Sequence, residues 1–452
     1  MKRGWLLELV VVACALGSQA ALAETAPLDL IKQAVSAEGG ADALRNLKRV
    51  AITADVQHWE PEQSFVADGE PRLLATSKIV VNWEIEHGMA RTEWDRNLIY
   101  PFKSPEKYSD VITSKFGFTA TAKGERPMSS IRVASEQREL ERTTPTLLLK
   151  ALAAPERVST AKDQLLGKEK LPAVTFDDSG TRFTILFDRE THLPAAVRTL
   201  EDDNLLGDAT YDAVFSDWKP VDGVQVAHTL TQRLAGVDVG KIVYTGVIAN
   251  PAIDATIFEP GEAVLKELKP AATGNVPYQW VLRRISLARF TDSDAINYDA
   301  ATSPGLKLVE IAPNVQHVVG GSHNSLIVAM PSFLVVFDAP INEWQSLWTI
   351  EAAKKKYPGK PIKYLVLTHQ HNDHTGGSRT YVAEGATVVV GAPNKAYFEK
   401  VFTAPLNADE LQKNPRKASL VEVAVQMSIK DGDDEIRLYR IPNPHAESML
   451  RA

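Results

Sequence analysis

The sequence predicts an α+β protein in two parts. An antiparallel β domain over residues 24–265 is followed, after a linker at 266–303, by a strand–helix domain over 304–452. Three observations carry this. Apolar and β-branched runs recur from Val50 to Ala249 with short polar turns between them, the mark of a meander. From Pro304 the pattern changes to short strands alternating with segments of helical period. Within that second part, Tyr364–Leu367 reads as a buried strand. It leads into His369, His371, Asp373 and His374, four residues of metal-ligating type in six positions, and then Gly376-Gly377.

Composition narrows the function. The 452 residues leave room for two or three domains, and 44% hydrophobic with 24% charged residues is ordinary for a globular chain. A formal net charge of −7 argues against nucleic-acid binding through bulk basic charge. Outside the N-terminus no tract has the length of a transmembrane helix, so no integral span is expected.

Residues 1–23 have the parts of an export signal peptide: basic Lys2 and Arg3, a mostly apolar Trp5–Leu16, and Ala21-Leu22-Ala23 as the cleavage site. The expected location is periplasmic or secreted. A lipoprotein signal at Cys14 is the competing reading, but only a short apolar run precedes that cysteine. Cys14 is the only cysteine, so the processed chain has no thiolate and any metal must be held by nitrogen and oxygen.

In the first domain, Leu28–Ala37 or Ala41–Leu47 forms an opening helix. Val50–His58, Lys78–Glu86, Phe183–Asp188, Ala195–Leu200, Ala209–Phe215, Val224–Arg233 and Lys241–Ala249 read as strands. Val221-Asp222-Gly223 and Ala235-Gly236-Val237-Asp238 read as turns. Ser104–Pro155 is less regular, with Leu147–Ala153 helical and placed to cover a sheet face. His58, His87, His192 and His228 have no ligand-type neighbour at useful spacing and read as surface or packing residues.

The strand-and-turn pattern, with F-D-R-E-T-H-L-P-A-A-V-R (Phe187–Arg198), is similar to the periplasmic lipoprotein-carrier type of half-barrel. The resemblance implies an antiparallel β half-barrel. Its apolar groove either takes a lipid-like or acyl group or binds nothing and serves as a scaffold. In the linker, Tyr278–Phe290 has helical character. It docks the two domains, covers an apolar edge of the second, or stands free between them.

In the second domain, Leu308–Ala312 and Val315–Gly320 are expected strands, and Leu326–Met330 with Leu334–Asp338 a hairpin. Glu343–Lys356 has helical spacing, with Trp344, Leu347, Trp348 and Ala352 as its expected core face. Lys354-Lys355-Lys356 complement the dipole at its end, and Tyr357-Pro358-Gly359 stops it. Ile362–Leu367 then completes a β-α-β unit with the ligand loop at its exit, where open α/β sheets place their sites.

His369 and His371 lie two apart in extended backbone, so both can reach one cation. Asp373 and His374 sit where the chain curls into a helix and can face a neighbouring position. This donor set suits Zn2+, and also manganese or iron. Arg379–Ala383, Thr387–Val390, Asn394–Phe402, Met427–Asp431 and Glu435–Ile441 follow as helix, strand, helix, strand and strand. They lead to Pro442-Asn443-Pro444-His445, a histidine at another strand exit.

T-H-Q-H-N-D-H-T-G-G (Thr368–Gly377), with His445 71 residues after His374 in N-P-H-A-E-S-M-L (Asn443–Leu450) and F-D-A-P (Phe337–Pro340) before it, resembles the metallo-β-lactamase superfamily. The resemblance runs from about residue 306 to the end. It implies a metal-dependent hydrolase with an αβ/βα sandwich. His369, His371 and His445 would hold a first metal, Asp373 and His374 part of a second, and Asp338 would steady the ligand loop from behind.

His317 and His323 match no ligand of the family; His323, beside Asn324 at a strand start, reaches the pocket edge at most. The family fold continues past the third-histidine motif with a further aspartate and histidine, whereas this chain stops at Ala452. The expectation is therefore an incomplete sandwich, a weakly held second cation and reduced turnover.

In the family, a metal-bound hydroxide attacks the substrate and the metals stabilise the developing oxyanion, with Asp373 here orienting the hydroxide. Ser448 has no partnered base and reads as a loop residue. The expected function is an exported hydrolase of a small ester, thioester, lactone or lactam-like substrate, with no nucleic-acid partner. The reading from another class is a periplasmic carrier of a lipid or amphiphile with a degenerate hydrolase domain.

Overall fold

The computed structural model describes residues 26–143, 145–274, 276, 278–293 and 305–452. The export segment expected at 1–23 and the end of the linker lie outside the described residues. Among the described residues, no helix is long and apolar enough to cross a membrane.

The first part is one antiparallel sheet of thirteen strands. From Arg49–Glu60 the chain steps outward through Arg72–Glu84, Met89–Leu98, Ser104–Ile112 and Gly117–Thr121 to the edge strand Gly124–Pro127. The helices Ser130–Thr143 and Thr146–Ala153 carry it to the opposite edge, Val158–Leu166. It then steps inward until Val237–Ala249 pairs with Arg49–Glu60, Val50 facing Ala249 and Gln57 facing Lys241. First and last strands thus meet in mid-sheet.

Alternation explains the packing. Val50, Ile52, Ala54 and Val56 are buried on one face. They meet Ile31, Ala34 and Val35 of the helix Pro27–Ala37 and Leu147, Leu148 and Ala151 of Thr146–Ala153. The region expected to be irregular, Ser104–Pro155, holds three strands and the long helix Ser130–Thr143. Met89–Leu98 and Val158–Leu166 are further strands beyond those expected. Both are mostly polar because much of each is solvated, so no β-branched run marks them.

The linker helix Tyr278–Leu287 is docked. It packs on Ser130–Thr143 and Pro194–Asp203, and its Trp280, Val281 and Ile285 share a core with Ile131, Ala134 and, from the second part, Ile341. Its Arg283 is buried in an acidic cluster. The guanidinium lies 2.7 Å from Asp203, 3.4 Å from Glu60 and 3.5 Å from Glu62. Burial drives the Glu62 carboxyl well above the usual range, helped by Asp203 beside it. Burial pushes Asp203 the same way, but Arg283 together with hydrogen bonds from Glu62 and the Leu205 and Leu206 amides holds that carboxyl low.

The second part carries a seven-stranded sheet. Lys307–Ala312, Val315–Val319, Ser325–Ala329 and Leu334–Phe337 pair antiparallel. Ile362–Val366, Thr387–Gly391 and Ser419–Val423 continue it in parallel. One face, through Val336, Leu365 and Val388, packs on the helices Glu343–Lys356, Ser378–Glu384 and Lys395–Thr403. The other, through Val335, Phe337 and Val389, packs on a three-stranded sheet through Ile429, Leu438 and Leu450. Burial on both faces is why the central strands read as unbroken apolar runs. The chain is therefore α+β, a large antiparallel sheet followed by a helix–sheet–sheet stack.

Glu343–Lys356 forms with the expected bounds, capped by the Asn342 side chain accepting from Gln345 N at 3.0 Å. Its tryptophans are not the core face: Trp344 and Trp348 are half-buried, and Gln345, Ser346, Thr349, Ile350 and Ala353 point inward. The reason is the ligand loop. That loop presses on this face: a Cβ at Gly377 would collide with Ser346 Oγ and the Asn342 carbonyl, so the approach requires glycine there.

Replacing Arg283 by Met leaves Glu60 and Asp203 without their cation and is expected to lower stability by about 3–5 kcal/mol in denaturant unfolding. Glu38 gives a pH test. It is buried with Oε2 unpartnered, and burial raises its carboxyl from 4.5 to about 8. Across that window the folded chain keeps a proton that the unfolded chain has released, so stability falls as pH rises. Glu38→Gln should therefore melt higher at pH 8, by on the order of 3 kcal/mol, and match the parent at pH 4.

Candidate metal centre

The strand Ile362–Val366 ends beside Leu334–Phe337, and both chains leave the sheet together. Asp338, first after Leu334–Phe337, has a left-handed backbone (φ 57°), which aspartate tolerates better than most residues. Its Oδ1 accepts from Thr368 N at 2.7 Å, and its Oδ2 from Thr368 Oγ1 at 2.9 Å and His374 Nδ1 at 2.8 Å. Ala339 N donates to the His374 carbonyl and Gly377 N to the Ala339 carbonyl. The turn after one strand thus clamps the loop after the next.

The clamp gathers the histidines. His371 Nδ1 lies 3.0 Å from His445 Nε2, which lies 3.2 Å from His369 Nε2. With metal–nitrogen bonds of about 2.0–2.1 Å, the edge of a coordination tetrahedron is about 3.3 Å, so the spacing fits Zn2+. Beside this triad, Asp373, His374 and His323 bring a second set of donor atoms within 4.8 Å of one another. The rings of His369 and His374 are 4.3 Å apart, so the two groups adjoin.

The hydrogen bonds behind the rings set their tautomers. Thr368 Oγ1 donates to Asp338, so at 3.1 Å it accepts from His369 Nδ1. The Ser64 carbonyl, 2.9 Å away, takes the proton of His371 Nε2. Tyr100 donates to Gln63 Oε1 and so accepts from His445 Nδ1 at 2.9 Å. His374 Nδ1 donates to Asp338. Each ring spends its proton outward and turns a lone pair inward. This is how metal-ligating histidines are held.

Burial also keeps the triad neutral, as ligands must be. It lowers His371 to about 4 and pushes His369 and His445 below the ordinary range. His374 is raised, because Asp338 outweighs the effect of burial. Asp373 is held well below the usual carboxylate range against burial, chiefly by its bond to His323 and by the Arg284 charge.

Half of these outer partners come from the first part of the chain, which sequence reasoning missed. Gln63 Nε2 donates to Asp373 Oδ1. Tyr100 stacks on His445, and Arg72 lies over the Tyr100 ring while donating to the His445 carbonyl at 3.1 Å. Gln370 Nε2 donates to the Ser64 carbonyl and Glu447 N to that of Phe65, pinning the turn at Pro61–Gln63 against the loop. None of these is a ligand-type residue in a motif. The only local signal is Pro61 closing a strand.

His323 was expected at the pocket edge at most; its Nε2 lies 2.9 Å from Asp373 Oδ2. His317 sits on the strand Val315–Val319, outside both donor groups. His58 packs by Trp94 in the large sheet, and burial lowers it to about 4.

Residues 320–449 match the model of the Metallo-beta-lactamase superfamily. Among solved structures, the metallo-beta-lactamase SMB-1 in a complex with mercaptoacetic acid is similar at 23% identity and a TM-score of 0.27, over 33% of this chain and 58% of that one. The enzyme from Hirschia baltica is similar at 19% and 0.25, over 32% and 64%. That from Pontibacter korlensis is similar at 18% and 0.25, over 32% and 65%. The chain thus spans about six-tenths of the length of these structures. A search of curated proteins returned no match.

Tyr100→Phe keeps the ring stack but removes the acceptor for His445 Nδ1. It is expected to weaken Zn2+ binding about 10- to 100-fold, measured by competition with a chromophoric chelator.

Proposed function

We propose that this chain, whose residues 320–449 match the model of the metallo-β-lactamase superfamily, is an exported metal-dependent hydrolase of a small ester, thioester, lactone, lactam or related substrate. The observation that carries this reading is the set of rings in the ligand loop and at His445, each with its proton bound outward and a lone pair turned into one shared space. His369, His371 and His445 would hold the first cation, and Asp373 and His374 part of a second. Zn2+ suits this set, with manganese or iron compatible.

A bound divalent cation supplies a lowered pKa for water and a polarised carbonyl. The chain's own residues do the positioning. Gln63 takes Asp373 Oδ1, which leaves Oδ2 on the side of His323 and His374, where it would face the second cation. Asp338 fixes the loop through Thr368 and His374, and Tyr100 with Arg72 fixes His445. His369 and His371 are buried while His374 and His445 are half-buried, so substrate approaches from the side of the latter pair.

Arg284, buried with Nη1 unpartnered, adds positive charge acting on Asp373, His374 and Tyr100. That favours a substrate carrying negative charge. The export-like residues 1–23 support action outside the cytoplasm.

A second reading, a carrier of a lipid or amphiphile, is favoured by one observation. The large sheet holds a cavity of about 250 Å³ with an apolar side of Leu74, Ile79, Trp83 and Trp94 and a charged side that includes Arg96 and Arg132. The intact ligand set favours the hydrolase.

A screen of ester, thioester, lactone and lactam substrates with Zn2+, Mn2+ or Fe2+ supplied tests this. Turnover should be lost on chelation and restored by metal. Turnover indifferent to chelation would sink the reading, and lipid co-purifying without metal-dependent turnover would favour the carrier.

A further inference from the structure

We infer that His323 is a protein ligand of the second cation, completing with Asp373 Oδ2 and His374 Nε2 a site of two imidazoles and a carboxylate. This rests on the metal-centre reading above and assigns a residue outside the ligand motif, about fifty positions upstream of Asp373.

The donor atoms are singled out by what holds the other side of each group. Asp373 Oδ1 is taken by Gln63, leaving Oδ2. His374 Nδ1 is taken by Asp338, leaving Nε2. His323 Nδ1 is 3.1 Å from Ser322 Oγ, leaving Nε2. The three free atoms converge. His323 Nε2 is 2.9 Å and His374 Nε2 3.8 Å from Asp373 Oδ2, and the two rings meet edge to face at 5.3 Å. A plain His323–Asp373 hydrogen bond would account for the first distance. A second imidazole, fixed through Nδ1 by Asp338, also aims its Nε2 at the same carboxylate oxygen. A cation satisfies all three and leaves an open position for water or substrate.

The loop is also held where a ligand must stay. Buried Gln345, on the helix Glu343–Lys356, donates from Nε2 to the His323 carbonyl at 2.8 Å. Gly321 leaves room for it, since a Cβ there would collide with the Gln345 amide. His323 itself is half-buried, so a cation can reach it.

The test is metal stoichiometry on the full chain, stripped with chelator and reloaded with Co2+, read by elemental analysis and visible absorption. The parent should take two Co2+ per chain. His323→Ala and the less disruptive His323→Gln, with folding checked by circular dichroism, should keep one. They should lose the absorption of the second ion, whose affinity falls at least about ten-fold. Gln345→Ala should weaken the second ion and spare the first. Both His323 variants binding two Co2+ with unchanged affinity, or a parent saturating at one, would overturn the assignment and leave the first site standing. A parent that takes up no Co2+ would overturn the first-site reading and this one with it.

Discussion

Asp338 is the carboxylate on which the centre turns. Through Thr368 it sets the tautomer of His369, in the first donor group, and directly it sets that of His374, in the second. It also bonds the Thr368 amide, so the geometry of the whole loop follows from one side chain at the end of a neighbouring strand. A hydrogen-bonded carboxylate behind an imidazole both orients the ring and raises its basicity. Here one carboxylate serves two adjoining groups.

The large antiparallel sheet has a corresponding part. Ser64 takes the outward proton of His371, Tyr100 that of His445, and Gln63 occupies one oxygen of Asp373. The second part of the chain supplies the candidate donors, and the first sheet supplies much of what aims them. The buried helix Tyr278–Leu287 holds the two parts in register, with its Arg283 neutralising Glu60 and Asp203 and its apolar face reaching Ile341. A shift of about an ångström at this junction is enough to unmake such a centre.

The ring geometry itself suits a cation. Lone pairs of three neutral imidazoles face one another within hydrogen-bonding distance, and every proton that would relieve them is committed elsewhere. Burial keeps His369 and His371 from protonating instead. A fold that tolerates this is poised for a positive ion.

The motif Thr368–Gly377, the strand before it, the helix Glu343–Lys356 and the histidine at the exit of Asp434–Ile441 were all legible in the sequence. Their causes are local: an apolar run buried on both faces, a helical period with a cap, ligand-type residues at fixed spacing. Strands such as Met89–Leu98 were not legible, because a half-solvated strand needs no β-branched pattern. Nor were Ser64, Gln63, Tyr100 and Arg72, which meet the candidate ligands across 307, 310, 345 and 373 positions. A backbone carbonyl or a tyrosine hydroxyl acquires its role only when packing brings a ring nitrogen to it. His323 is the same case: its type was visible, but only the tertiary fold, through Gln345 and the space left by Gly321, decided that it faces Asp373.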